Sequence, residues 1–214
     1  MPEATPDATP GATEATGDPA PEPARIPVGT VIEAEVETIS GDRIAIPAGE
    51  GLLHLQFRRF AGCPICNLHL RSVVQRHDEI AAAGVREVVF FHAPPDDLRG
   101  YVEDLPFAVV PDPDKTFYRR FGVESGLRSM GPRAWGAIAR GFLVVFGPMV
   151  RRKRPAPKFT PHGGQLGLPA DFLIAPDGRV LAAKYGDHAY DQWSVDELLA
   201  LAAAARAGEP DQSV

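Results

Sequence analysis

The strongest constraint on this chain is the order in which strand and helix patterns alternate along it. Leu52-Leu53-His54-Leu55-Gln56-Phe57 reads as a buried strand, and after Cys63-Pro64-Ile65-Cys66 a helical pattern runs to about Ala83, where Gly84 stops it. Arg86–His92 is a second buried strand, ended by Pro94-Pro95. A short helix over Asp97–Asp104 leads to strand Phe107–Val110, and Asp114–Phe121 is helical up to Gly122. Later, Asp171–Ala175, the turn Pro176-Asp177-Gly178 and Arg179–Tyr185 form a hairpin. A last helix starts at the N-cap Ser194, with Glu197 three residues on, and runs to about Arg206. Strand–helix–strand crossovers give parallel neighbours and the hairpin an antiparallel pair. The expected class is therefore α/β, a mixed central sheet with helices on both faces.

Two segments stand outside this rhythm. Residues 1–24 hold six Pro, six Ala, four Thr and five acids, with no Lys or Arg and almost no large apolar side chain. Such a stretch cannot bury enough surface to offset its ordering entropy, so a disordered tail is expected. It carries nearly all of the net charge of −6 and leaves the rest of the chain close to neutral, which argues against nucleic-acid binding. The body, 25–214, is expected to be a single domain. At its start, Val31–Thr38 and Arg43–Ile46, joined by Ser40-Gly41-Asp42, read as an N-terminal β-hairpin. Within the body, an insertion at about 127–165 is basic: Arg128, Arg133, Arg140, Arg151, Arg152, Lys153, Arg154 and Lys158 fall there with no acid up to Lys158. Trp135, Ile138, Ala139, Phe142, Phe146 and Met149 share a helical face, so residues 132–150 are expected to form a helix covered by protein. A lid or homodimer surface and, below these, an anionic membrane surface are the other uses of such a helix.

The chemistry-bearing feature is the cysteine pair. Cys63 falls where a strand ends and a helix begins, facing unpaired backbone N–H groups and the positive end of the helix dipole. Thiols so placed titrate at about 7 or lower. Cys66 lies one turn on, within reach of a local disulfide. Pro64 suits the first helical turn, Gly62 allows the tight approach, and Arg58 and Arg59 add positive potential unless they are solvated. Two sulfurs fall short of a zinc set unless His69 joins them, and Asn67 stands where haem attachment needs His. A redox dithiol is the expected reading, with no metal, and with two inert buried thiols as the bland alternative.

Taken together, these motifs resemble a known group. Cys63–Cys66, Gly167-Leu168-Pro169-Ala170 before Asp171–Ile174, and the late Pro176-Asp177-Gly178 hairpin are similar to the thioredoxin fold. The stretches Arg59–Cys66 and Phe107–Val123 resemble the peroxiredoxin-like branch of the alkyl hydroperoxide reductase and thiol-specific antioxidant superfamily. The resemblance covers roughly 26–126 and 163–206. It implies that His92 and Pro169 lie at the sulfur edge, that the Leu168–Pro169 bond is cis beside the cysteines, and that the returning strand brings His188 back as an acid/base or orienting candidate. Where typical peroxiredoxins carry Pro and then Thr or Ser, seven and three residues before the first cysteine, this chain has Gln56 and Phe60.

The expected function is a thiol-dependent oxidoreductase. Cys63 is the nucleophile and Cys66 the resolver, and Pro64, Arg59, Pro169 and His188 are supporting residues. The substrate is a hydroperoxide or, in the alternative, a disulfide. A third reading is a thioredoxin-fold protein whose cysteines only sense redox state. No flavin or dinucleotide fingerprint is present, so no cofactor is expected and the electrons come from a thioredoxin-like or small-thiol donor. Without an export signal, the expected compartment is the reducing cytoplasm.

Overall fold

The computed structural model of the protein describes residues 24–59, 64–123 and 167–208. The tail up to Pro23 and the expected helix at 132–150 lie outside them. Twelve elements follow in chain order: β1 (Ala34–Glu37), β2 (Arg43–Ile46), β3 (Leu52–Arg58), α1 (Pro64–Gln75), α2 (His77–Ala82), β4 (Val85–Phe91), α3 (Pro95–Val102), β5 (Ala108–Pro111), α4 (Thr116–Arg120), β6 (Ala170–Ile174), β7 (Val180–Tyr185) and α5 (Val195–Ala207). The main sheet has the order β5-β4-β3-β6-β7, and β1 and β2 form a separate antiparallel hairpin. β3 pairs parallel with β4, and β4 with β5, while β6 runs antiparallel to both β3 and β7. This is the expected mixed sheet.

β3 lies at the centre and is buried along its whole length, because both faces of the sheet are covered. Side chains alternate across it. Leu53, Leu55 and Phe57 face the layer made by the hairpin and α4, where they meet Val36, Ile46, Tyr118, Phe121 and Phe172. Phe57 sits among four rings, stacked on Phe90 at 4.7 Å and edge-on to Tyr118 at 5.1 Å, with Phe121 and Phe172 beyond. Such ring pairs add about 0.5–1.5 kcal/mol each beyond the area they bury. The opposite face carries two apolar clusters. One joins Val73 of α1 and Ile80 of α2 to Leu198 and Ala202 of α5, and the other joins Leu70 of α1 to Leu98 and Val102 of α3.

The helix expected to run unbroken to Ala83 is two helices. Arg76 leaves helical geometry at φ −116° and ψ 21°, and its guanidinium spans Glu79 and Asp196 of α5. The apolar period runs straight through the break, since Val73 and Ile80 point into one cluster, so periodicity could not show it. At the other end of the chain, local chemistry was sufficient. Ser194 and Glu197 form a capping box, and Gly208, in the left-handed region at φ 78°, ends α5.

Candidate active site

β3 and β4 are parallel and end together, Arg58 opposite Phe91. The chain leaves β3 through Arg59, and α1 starts at Pro64 on the same edge. Cys63, with Phe60 to Gly62, lies outside the described residues. Cys66 is in the first turn of α1 and is buried, 2% exposed. His92 follows β4 directly, and its backbone N–H donates to the Arg59 carbonyl at 3.4 Å. The segment before β6 returns to this edge as expected. A Cβ on Gly167 would lie 3.6 Å from His92 Nε2 and 4.0 Å from Arg59 Cγ. Arg59, His92, Gly167 and the first turn of α1 are thus brought to one end of the sheet.

Tyr118 of α4 fastens that end. Its hydroxyl donates, in a shared hydrogen bond, to the carbonyls of Arg58, the last residue of β3, and Phe90, the penultimate residue of β4, and the His92 ring meets its ring edge to face at 5.6 Å. Asp112 holds α4 in place by accepting from the backbone N–H groups of Thr116, Phe117 and Tyr118. Burial first, and then the charges of Asp112 and Cys66, push the Tyr118 phenol well above its ordinary pKa. It therefore stays a donor, and a thiolate at Cys66 lies within its electrostatic reach.

One expectation is corrected, and for Arg58 one of two alternatives is excluded. The Leu168–Pro169 bond is trans, and the cis bond among the described residues is Ile46–Pro47. Pro169 already belongs to the extended run into β6. Its carbonyl accepts from Gly186 N–H at 2.9 Å, prolonging the β6–β7 ladder by one bond. Arg58 is not a solvated surface charge. It is wholly buried, and its Nη2 donates to Asp171 Oδ1 at 2.6 Å, to Gln56 Oε1 at 2.7 Å and to His69 Nε2 at 3.1 Å. His188 is half-buried in the turn after β7, where its Nδ1 accepts from Tyr190 N–H at 3.3 Å.

The group that sequence reading missed is an ionic cluster beneath α1. His54, Gln56 and Arg58 project from β3 on the face opposite Leu53, Leu55 and Phe57. Glu87 joins them from β4 and Asp171 from β6. His54 Nδ1 lies 2.8 Å from Glu87 Oε2, and His54 Nε2 lies 3.1 Å from Asp171 Oδ1. Gln56 donates to Glu87, and the backbone N–H of Trp193 donates to Asp171 Oδ2 at 3.3 Å. All of these polar side chains are essentially fully buried. A signal existed in the sequence, since polar residues recur at every second position of an otherwise apolar strand.

Within the cluster the charges balance. Burial opposes the His54 charge, but Glu87 and Asp171, through charge and hydrogen bonds, outweigh it and raise the imidazole to about 9. Burial would raise Asp171, but Arg58 and His54 hold its carboxyl well below the usual carboxylate range. His69 goes the other way. Burial, and after it the Arg58 charge, lower it to about 3. It is neutral, and its Nε2 lone pair is occupied by Arg58, which removes it as the third ligand of a zinc set. Among the described residues, no group of three or more His, Cys, Asp or Glu is placed to hold a metal ion.

Residues 72–188 match the AhpC/TSA antioxidant enzyme family, more than half of the 214-residue chain. No curated protein matches the sequence. Solved structures with the same fold include a cysteine-to-serine mutant of peroxiredoxin 6 from Arenicola marina, 15% identical, with a TM-score of 0.61 over 85% of this chain and 74% of that one. The peroxidoxin BcpB of Mycobacterium tuberculosis is 18% identical, with a TM-score of 0.59 over 83% and 96%. AhpC of Enterococcus faecalis is 10% identical, with a TM-score of 0.58 over 87% and 98%. A parallel β3–β4 edge with a cysteine in the first turn of α1, the mixed five-stranded sheet and the family match agree: this chain belongs to the AhpC/TSA antioxidant enzyme family and is a peroxiredoxin-like oxidoreductase of thioredoxin fold.

Proposed function

We propose that the protein reduces hydroperoxides through a dithiol–disulfide cycle of Cys63 and Cys66. The observation that carries this reading is the position of Cys66, buried in the first turn of α1 at the shared end of β3 and β4. The Cys63 thiolate attacks one peroxide oxygen. The O–O bond breaks, the other oxygen leaves as alcohol or water after taking a proton, and Cys63 becomes a sulfenic acid. The Cys66 sulfur then attacks the Cys63 sulfur. An S–S bond forms, the S–O bond breaks, and the hydroxyl leaves as water with the Cys66 proton. The dithiol has supplied two electrons, and an external thiol, thioredoxin-like or small, returns them by exchange. Arg59 and His92 flank the edge, Pro64 opens the helix, and Pro169 and Gly186 close the rim that leads to His188. The cycle suits the reducing cytoplasm, and the domain spans 25–214.

A second reading has one observation in its favour. Gln56, where typical peroxiredoxins carry Pro, is turned into the buried cluster and bonded to Glu87 and Arg58. A dithiol in that setting would also act on disulfides, Cys63 attacking a substrate sulfur and Cys66 resolving the mixed disulfide. Stopped-flow mixing of the reduced protein with hydrogen peroxide tests the first reading. Fast consumption with one disulfide formed per protein, abolished in Cys63→Ser, is the expected result. Slow consumption alongside rapid reduction of an insulin-type disulfide would replace it with the second.

A further inference from the structure

The ionic cluster under α1 has a consequence for the dithiol, and it rests on the reading that Cys66 is the resolving thiol. We propose that Arg58 is a positioning residue for the redox pair: gripped by Asp171, its guanidinium sets positive charge against the inner face of α1, one turn from Cys66, and steadies the Cys66 thiolate.

The contacts run in sequence from strand to helix. Asp171 fixes one Arg58 nitrogen at 2.6 Å, and the same nitrogen reaches His69 at 3.1 Å. Cys66 and His69 are three residues apart on α1, a spacing that makes neighbours on one helix face. Arg58 therefore brings positive charge from the sheet to the face of α1 that carries His69, while the carboxylates that neutralise it are held on β4 and β6. His54 makes that arrangement workable. Without its charge, two buried carboxylates, Glu87 and Asp171, would both lean on Arg58, and the face beneath α1 would turn negative. With it, the cluster is neutral overall and polarised, its positive end toward α1. The other charged groups around the helix start are Arg59 at the shared end of β3 and β4, Lys184 on β7 and, beyond Tyr118, Asp112 before α4. His69 reports the sign of the potential, because Arg58 acts on it more strongly than Asp171 does.

The test uses the full chain with Cys63→Ser, which leaves Cys66 as the remaining thiol of two. Its ultraviolet thiolate absorbance is titrated against pH, a readout that needs neither exposure nor turnover, and thermal melting confirms that each protein is folded. Arg58→Met with Asp171→Asn removes both charges without stranding either. It is expected to raise the Cys66 midpoint by about one unit, roughly tenfold less thiolate at neutral pH. Arg58→Lys keeps the charge and is expected to stay within about half a unit of the parent. His54→Gln is the second route should the double variant not fold, and it shifts the midpoint in the same upward direction. An unmoved midpoint in a folded double variant or in folded His54→Gln overturns the proposal. Titration as expected in the Cys63→Ser background, with a parent chain that consumes no peroxide, defeats the peroxidase reading alone, and a parent chain active as a peroxidase with an unmoved midpoint in the Cys63→Ser variants defeats this one alone.

Discussion

His54 is the residue on which the buried charges turn. Ionised side chains are rarely held away from water unless each has a partner, and losing one partner from a buried pair costs about 3–5 kcal/mol. His54 contacts both carboxylates of the cluster at once, Glu87 at 2.8 Å and Asp171 at 3.1 Å. Its folded pKa is raised from 6.5 to about 9, so the folded state holds its proton more tightly than the unfolded chain does. The stabilisation is fully present below pH 6.5 and is lost as pH rises through 9. It amounts to on the order of 3 kcal/mol. Melting midpoints of the parent chain should fall across that window, while His54→Gln, with nothing to titrate there, should be nearly flat and should converge with the parent above it. A parent curve flat between these limits would show that His54 is neutral in the fold. Asp171 behaves oppositely. Its depressed pKa gives stabilisation that is present above the ordinary carboxylate value and disappears only in strong acid.

At the scale of single elements, local rules succeed where an element closes its own hydrogen bonds. The Ser194 side chain accepts from Glu197 N–H at 3.2 Å, and the Glu197 carboxylate accepts from Ser194 N–H at 2.7 Å. Both are satisfied within four residues, so the start of α5 could be read without the fold. Ser194→Ala removes one half of that exchange and should cost about 1 kcal/mol, lowering the melting midpoint by about 2–4 °C for a chain of this size. An unchanged midpoint would mean that packing of Leu198 and Ala202 alone holds the helix. The hairpin turn is equally local, with one tertiary addition. Gly178 has φ 86°, and a Cβ there would meet the Ile32 carbonyl at 2.7 Å, so this glycine is required by the neighbouring chain as well as by the turn. By contrast, the break at Arg76 is paired with Asp196 across to α5 and left no mark on the local pattern.

For the whole molecule, the first described residues are tied to the main sheet. Ile26 N–H donates to the Tyr185 hydroxyl at 2.7 Å, that hydroxyl donates to the Phe121 carbonyl at 2.7 Å, and the Arg25 guanidinium lies over the Tyr185 ring at 4.9 Å. Deleting residues 1–23 should leave the melting midpoint unchanged, whereas deleting 1–26 should lower it by several degrees, about 1–2 kcal/mol of lost contacts. Equal midpoints for the two truncations would show that Arg25 and Ile26 contribute nothing. Among the described residues no helix is long and apolar enough to cross a membrane. What the sequence by itself determined was the order of strands and helices, the mixed sheet, the cap of α5 and the place of Cys66 in the first turn of the helix that follows β3. Each is set by side-chain period or by partners a few residues apart. Only the tertiary structure decided that Arg58 is buried, that His69 is bound to it, that Leu168–Pro169 is trans, and that His54, Glu87 and Asp171 form one cluster. Those three lie up to 117 residues apart. Whether their charges meet depends on strand order and register, which one-dimensional periodicity does not carry, and burial then gives that meeting its strength by excluding water from it.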